Sequence, residues 1–333
     1  MRIGIIGVGR IGALHAETLH SLAGVDELVV VDSDAARAQK VASRMGVPWA
    51  PDIGHVLKDG ADGIVIATPT DTHAGLVRAA AEAGAAVFCE KPVAADLAGT
   101  KKVVRLVEKT GAQVQVGFQR RFDAGFVSAR DQVQAKKLGW LHTVRASTLD
   151  PAPPPAAYVG SSGGRFRDCS VHDIDAVRWV TGREASVVYA TGSNRGASYF
   201  SEAGDVDTAA ALLTLDDGTL ALVSSTRYNA AGYDVRLEVL GSEDSISVGL
   251  DDRLPLRSAE PGVTWPGGTP YANFMERFRA AYVAELEAFI DVVSGRAANP
   301  CTPADALETF YVAEACELSR RERRPVTMEE VRL

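Results

Sequence analysis

The sequence predicts an α/β protein of two domains, and three observations carry that expectation. Short β-branched runs alternate with amphipathic stretches through residue 117, a glycine-rich hexapeptide stands at the first strand-to-helix change, and closely spaced strands follow residue 205. The first pattern belongs to repeated strand–helix units with a parallel sheet, the last to an antiparallel sheet with a helix on one face. At 333 residues the chain has room for about two domains, each with its own core.

Taken in order, the strands of the first part are RIGII, ELVVV, GIVIA, AVFCE and QVQVG. Between them ETLHSL, AARAQKVASRM, AGLVRAAAEAG and LAGTKKVVRLVEKTG carry helix formers at near 3.6 spacing. Beyond residue 118 a helix is expected near 123–137, then a strand at LHTVRASTL. DPAPPPAAYVGSSGG is too rich in proline and glycine for regular structure, and such loops often border a site. FRDCSVHDID, residues 166–175, is expected to be helical, which puts Asp168 and His172 on one face with Asp175 a turn further on. VDTAAALLTL, TLALVSSTRY, YDVRLEVLG and SISVGL read as successive strands, with LDDGTL as a hairpin turn between the first two. FMERFRAAYVAELEAFIDVV lays Phe274, Phe278, Tyr282, Leu286, Phe289 and Val293 along one stripe, and TPADALETFYVAEACELSRR has a similar pattern after a Thr-Pro start.

Composition excludes several classes of partner. A net charge of −8 and a pI near 5.4 supply no cationic footprint for nucleic acid or an anionic membrane. Cys89, Cys169, Cys301 and Cys316 form no CxxC pair, so neither a zinc site nor a disulfide framework is expected, and a reducing cytoplasm fits best. Glycines and Arg10 interrupt the early apolar run MRIGIIGVGR, which argues against a signal peptide. No span of about 18 apolar residues follows, so a cytoplasmic protein is expected.

GVGRIG, Gly7 to Gly12, is a GxGxxG between an expected strand and an expected helix. Alone it is weak, because glycine-rich turns also serve tight packing. Asp32 sharpens it by closing the second strand 20 residues after Gly12, the spacing of an acid that contacts an adenosine ribose. Gly9 lets backbone approach a pyrophosphate, and the helix that Arg10 and Ile11 open presents unpaired N–H groups and a positive dipole end to it. A carboxylate at Asp32 accepts from ribose hydroxyls and repels a 2′-phosphate, which favours NAD over NADP unless Arg37 reaches the ribose.

CEKPV, residues 89–93, ends the strand AVFCE at the carboxyl edge, where open parallel sheets bind ligands. Lys91 would project there toward a nicotinamide, with Pro92 fixing the turn. Taken alone, it reads better as a surface lysine.

The combination resembles the Gfo/Idh/MocA oxidoreductases. GVGRIG, ATPTDTHAGL at 67–76, CEKP at 89–92, GFQRRFD at 117–123 and the DxxxH of Asp168 and His172 occur in that family's order. Within the family, GFQRRFD, DPAPPP, GDVDTAA, AGYDVRLEVLGS and FMERFRAAYVAELEAF are most similar to the inositol 2-dehydrogenases. There are two departures: Ala231 stands where an aromatic residue commonly precedes GYD, and Gln119 replaces the methionine of FMRR.

The resemblance implies an N-terminal Rossmann domain over residues 1–118 and a C-terminal α+β domain over 119–333 for substrate binding and oligomerisation. That second domain would hold a large open, mostly antiparallel sheet, with the final helices packing back on the Rossmann domain and a homotetramer built on the sheet. The cofactor would be NAD, with no metal, held by Gly7, Gly9, Arg10, Ile11, Gly12, Asp32, Thr68, Pro69, Thr70, His73, Glu90, Lys91 and Arg121. A polyol would meet Lys91, Arg121, Tyr158, Asp168, His172 and Tyr233, with Asp175 a further hydrogen-bonding candidate.

Oxidising a secondary alcohol requires a base for the hydroxyl proton while hydride leaves carbon, and imidazole starts near the working pH. His172 is the expected base, Asp168 its orienting partner, and Lys91 the donor to the substrate oxygen. The leading expectation is therefore NAD-dependent oxidation of myo-inositol to 2-keto-myo-inositol, with another inositol isomer or a pyranose as the rival substrate. Blander alternatives stand beside it. Asp168 and His172 could be an ordinary i,i+4 surface pair, or metal ligands with Asp175 and His142, and the protein a non-catalytic nucleotide-binding regulator. His73 could cap its helix, Tyr233 could pack the sheet, and Arg120 could be a solvated charge. His15, His20, His55 and His142 read as structural.

Overall fold

The computed structural model describes residues 1–332. It divides into two compact units, Met1–Gln119 with Tyr282–Glu308, and Arg120–Ala281 with the chain from Thr309 onward.

The first unit alternates strand and helix: β1 (Arg2–Ile6), α1 (Arg10–Ser21), β2 (Glu27–Val31), α2 (Ala35–Met45), β3 (Trp49–Ala50), α3 (Ile53–Lys58), β4 (Gly63–Ile66), α4 (Thr70–Glu82), β5 (Ala86–Glu90), α5 (Leu97–Thr110) and β6 (Val114–Gly117). The strands form one parallel sheet in the order β3-β2-β1-β4-β5-β6. Its strands are mostly apolar and buried because both faces are covered, with Gln115 of β6 a buried polar exception. Asp34, Asp52 and Asp96 each cap a helix by accepting from a backbone N–H three residues on, and Gly46 and Gly111 end α2 and α5 in the left-handed conformation. The two-residue β3 and one-and-a-half-turn α3 are absent from the sequence expectation because neither is long enough to show a period. Strand order reverses at β1 and β4, so the chain ends leaving them lie side by side, at the switch point where such sheets take ligands.

The second unit begins within a 3₁₀ turn at Gln119–Phe122, followed by α6 (Ala124–Gln134), β7 (Leu141–Leu149), α7 (Ala156–Ser161), a π-helical turn at Phe166–Ser170 and α8 (Val171–Thr181). Then come β8 (Ala185–Ser193), α9 (Tyr199–Glu202), β9 (Thr208–Leu215), β10 (Leu220–Thr226), β11 (Asp234–Gly241), β12 (Ser245–Val248) and α10 (Phe274–Arg277). The chain ends with α11 (Arg279–Val293), α12 (Pro303–Glu322), β13 (Val326–Thr327) and α13 (Met328–Arg332). The sheet order is β12-β11-β7-β10-β9-β8-β13. β7 and β10 run parallel and the other neighbours antiparallel. Gly218 takes φ +88° in the β9–β10 turn, where Gly218 N–H donates to Leu215 O at 3.0 Å, so LDDGTL is the hairpin its glycine demands. Along β9 and β10 buried and outward residues alternate, and α8 packs on β7 and β10.

Four expectations change. The Pro- and Gly-rich segment DPAPPPAAYVGSSGG is not wholly irregular, since α7 forms between its prolines and its final glycines. β8 is a strand that the sequence does not suggest, because the small residues Ala190, Gly192 and Ser193 blur its alternation. The segment 166–175 is not one regular helix but a π turn feeding α8. The stripe from Phe274 to Val293 is broken at Phe278, between α10 and α11. From Tyr282 the chain belongs to the first unit, where Leu286, Phe289 and Ile290 join Ile3, Ile5, Val30 and Phe88 in one core cluster.

Candidate active site

In the first unit the loop from β1 to α1 is glycine because backbone crowds it. Gly7 has φ +89°, and a Cβ there would stand 2.7 Å from the Ala67 carbonyl oxygen; one on Gly12 would stand 2.0 Å from that of Gly7. Gly9 differs, since a Cβ would meet nothing within 4 Å, so packing does not explain it. Its bare backbone begins α1 without a side-chain cap, and the first helical bond runs from Ala13 N–H to Gly9 O at 2.9 Å. The first-turn N–H groups of Arg10, Ile11 and Gly12 lie outside the helix's own bonding, at the positive end of its dipole. That cradle fits a pyrophosphate.

Asp32, 6% exposed, accepts from the backbone N–H groups of Val8 and Asp34, each at 2.9 Å. Burial alone would raise its pKa, but those two donors and the Arg37 guanidinium at 3.2 Å together hold it below the ordinary value. The carboxylate the ribose reading needs is therefore ionised. Arg37 lies on Asp32 and Asp34, half-exposed, and tempers the repulsion of a phosphate.

Thr68, Pro69 and Thr70 form the step from β4 into α4. Thr68 Oγ1 is 2.6 Å from Thr72 Oγ1, which donates to Pro69 O at 2.8 Å. His73 is buried, and its ring nitrogens lie 2.8 Å from Pro92 O and 2.9 Å from Thr68 O. It caps no helix. Instead it ties the loop after β4 to the turn after β5.

That turn carries Glu90, a half-buried Lys91 and a cis Lys91–Pro92 bond. Glu90 accepts from the Lys91 N–H at 3.3 Å, and its other oxygen lies 2.7 Å from Nε2 of His15, a fully buried residue of α1. Glu285 of α11 completes the cluster; burial first, then the charge of Glu90, pushes its carboxyl well above the ordinary range. Among the described residues, His15, Glu90 and Glu285 are the group whose ligand atoms lie within 4.8 Å of one another, whereas Asp168, His172, Asp175 and His142 make no such group.

In the second unit, Asp168 sits in the π turn, a rare geometry that recurs at functional sites, and His172 lies half-buried in the first turn of α8. Tyr158 donates its hydroxyl to Asp168 Oδ1 at 2.8 Å, and Arg227 donates to Oδ2 at 2.6 Å. Asp175 leaves the face expected for it. It is buried in a bidentate pair with Arg121 at 2.7 and 2.9 Å, with Thr309 also donating to it. Two residues expected at the ligand are thus each other's partners, because α8 turns that side into the core. Arg120 is no solvated charge: 2% exposed, it donates to Asp173 and Thr148, both at 2.6 Å. Tyr233 is also buried, its N–H donating to Tyr271 O at 2.8 Å, and burial raises its phenol so that it remains a protonated donor.

The model for the Gfo/Idh/MocA oxidoreductase family, NAD-binding Rossmann fold, matches residues 1–118, and that for the family's C-terminal domain matches residues 126–247. The chain belongs to the Gfo/Idh/MocA family. Membership makes it an NAD-dependent dehydrogenase, in agreement with the cradle at Gly9 and the ionised Asp32. Two relatives are similar over almost their whole length: the myo-inositol dehydrogenase Hyg17 of Streptomyces leeuwenhoekii, 38% identical over 96% of this chain and 97% of its own, and the myo-inositol 2-dehydrogenase of Thermotoga maritima, 34% identical over 99% of each. The scyllo-inositol dehydrogenase of Lactobacillus casei, solved with NAD(H) and scyllo-inositol, superposes with a TM-score of 0.88 at 28% identity over 99% of each chain.

Arg227 and Asp150 are further site residues that no motif in the sequence marks. The signal that would have found them is the parallel pairing of β7 with β10, which aligns Leu149 with Thr226 and sets the two next residues side by side. His15, expected to be structural, bonds Glu90 and so supports the lysine-bearing turn.

Proposed function

We propose that the enzyme oxidises the 2-hydroxyl of myo-inositol to 2-keto-myo-inositol. The observation that carries this is Asp168, held by Arg227 and Tyr158 and followed four residues later by His172. His172 takes the hydroxyl proton, Asp168 orients and stabilises the ring as it becomes imidazolium, and Lys91 donates to the substrate oxygen as alkoxide character develops. Bound NAD supplies the hydride acceptor at its nicotinamide C4. The chain's own part in holding it falls to Gly7, Gly9, Arg10, Ile11 and Gly12 at the pyrophosphate, Asp32 at the ribose, and the linked loops of Thr68–Thr70, His73 and Glu90. Tyr158 and Tyr233 offer hydroxyls to the polyol.

The names of the relatives support a cyclic polyol. The scyllo-inositol bound in the Lactobacillus casei protein favours that isomer as the second reading. A cytoplasmic location agrees with the composition, and no helix of the described residues is long and apolar enough to cross a membrane. We also infer a homotetramer, supported by an outward apolar row on the sheet of the second unit.

NADH formation, measured with myo-inositol, scyllo-inositol, chiro-inositol and glucose offered separately, tests the substrate. Turnover is expected to be strongest on myo-inositol and to fall by about two to four orders of magnitude in His172→Ala with NAD still bound. Silence on every inositol would sink the reading, and near-normal turnover in His172→Ala would remove the base.

A further inference from the structure

Arg227 follows β10 directly, and its guanidinium spans two carboxylates. One η nitrogen donates to Asp168 Oδ2 at 2.6 Å, the other to Asp150 Oδ2 at 2.7 Å. Asp150 occupies the corresponding place after β7, where its own N–H donates to Thr226 O at 2.9 Å, so parallel strand pairing fixes both ends of the bridge. The three side chains are only 11–18% exposed. The buried Arg165 approaches Asp150 to 3.7 Å, Cys169 lies beside the cluster, and Tyr158 occupies the other oxygen of Asp168. Burial disfavours the charge on Arg227, yet the carboxylates of Asp168 and Asp150 hold it more firmly protonated than in water.

A lone carboxylate beside an imidazole favours the imidazolium, and a ring that already carries its proton cannot act as base. With Arg227 on Oδ2 of Asp168, the field of that carboxylate is divided and a positive charge is added. Both effects lower the proton affinity of the ring.

We propose that Arg227 is a positioning residue that tunes the base: bridging Asp150 and Asp168, it fixes the carboxylate and keeps His172 unprotonated, and so competent, to lower pH. The proposal rests on His172 being the base. Asp150 has a defined part in it, since this second carboxylate draws off some of the arginine's charge.

The pH profile of kcat/KM tests it in the full-length enzyme with NAD and myo-inositol. In Arg227→Gln the acidic limb is expected to move up by about one pH unit, and in Asp150→Asn to stay or move down. Tyr158→Phe removes a donor to Asp168 without touching the buried bridge and is expected to move the limb up by less, which keeps the test available if Arg227→Gln does not fold. An unmoved limb in both Arg227→Gln and Tyr158→Phe, with rates merely reduced, would make Arg227 structural and overturn the proposal. Failure of the underlying reading looks different: the same acidic limb would persist in His172→Ala.

Discussion

At the scale of single residues, the molecule separates buried groups that must be charged from one that must not. Asp32 is kept ionised by donors, whereas Glu285, sealed beside Glu90 and His15 with no hydrogen bond to either carboxyl oxygen, holds its proton. In the unfolded chain Glu285 ionises near 4.5, and in the folded protein far above it, so between those limits the native state binds more protons. Stability from this group is therefore present below 4.5 and declines as pH rises. Glu285→Gln, which cannot ionise, is expected to show a flatter decline of its urea midpoint above pH 5 than the parent chain; parallel declines would mean that Glu285 ionises without penalty. Which carboxylates were buried, and against what, was not legible in the sequence. EKP and DxxxH gave the residue types, but the partners His15, Arg227 and Thr309 come from positions remote in the chain.

At the scale of elements, α8 shows what sequence period can and cannot convey. Its spacing placed His172 and Asp175 a turn apart, and both are there. The π turn before it and the pull of Arg121 decide which side is open, and neither leaves a mark in a pattern of apolar residues. The Arg121–Asp175 pair fastens α8 to the 3₁₀ turn at Gln119–Phe122. Asp175→Ala, which strands a buried guanidinium, is expected to cost about 3–5 kcal/mol of unfolding free energy, measured by urea titration. A loss below about 1 kcal/mol would show the guanidinium finding water. The strands of the first unit were legible because each is a buried apolar run between glycines and helix caps. β3 and β8 were not, one being two residues long and the other diluted by small side chains.

At the scale of the molecule, the sheet of the second unit has an outward row set by strand register: Tyr189, Leu212, Leu222, Arg145 and Glu238 stand opposite one another across β8, β9, β10, β7 and β11. The first three are 41–44% exposed, and Arg145 pairs with Glu238 at 2.9 Å. An apolar row of this kind on an open sheet is what an assembly covers. Light scattering of Leu222→Glu is expected to report smaller particles than the tetramer inferred for the parent chain; an unchanged mass would place the contact elsewhere. Hydride transfer from an inositol carbon to NAD is open to isotopic labelling. The enzyme is given NAD and myo-inositol carrying deuterium at C2, and the reduced cofactor is weighed by mass spectrometry. One deuterium is expected in the NADH formed. Deuterium lost to water, with unlabelled NADH, would contradict it.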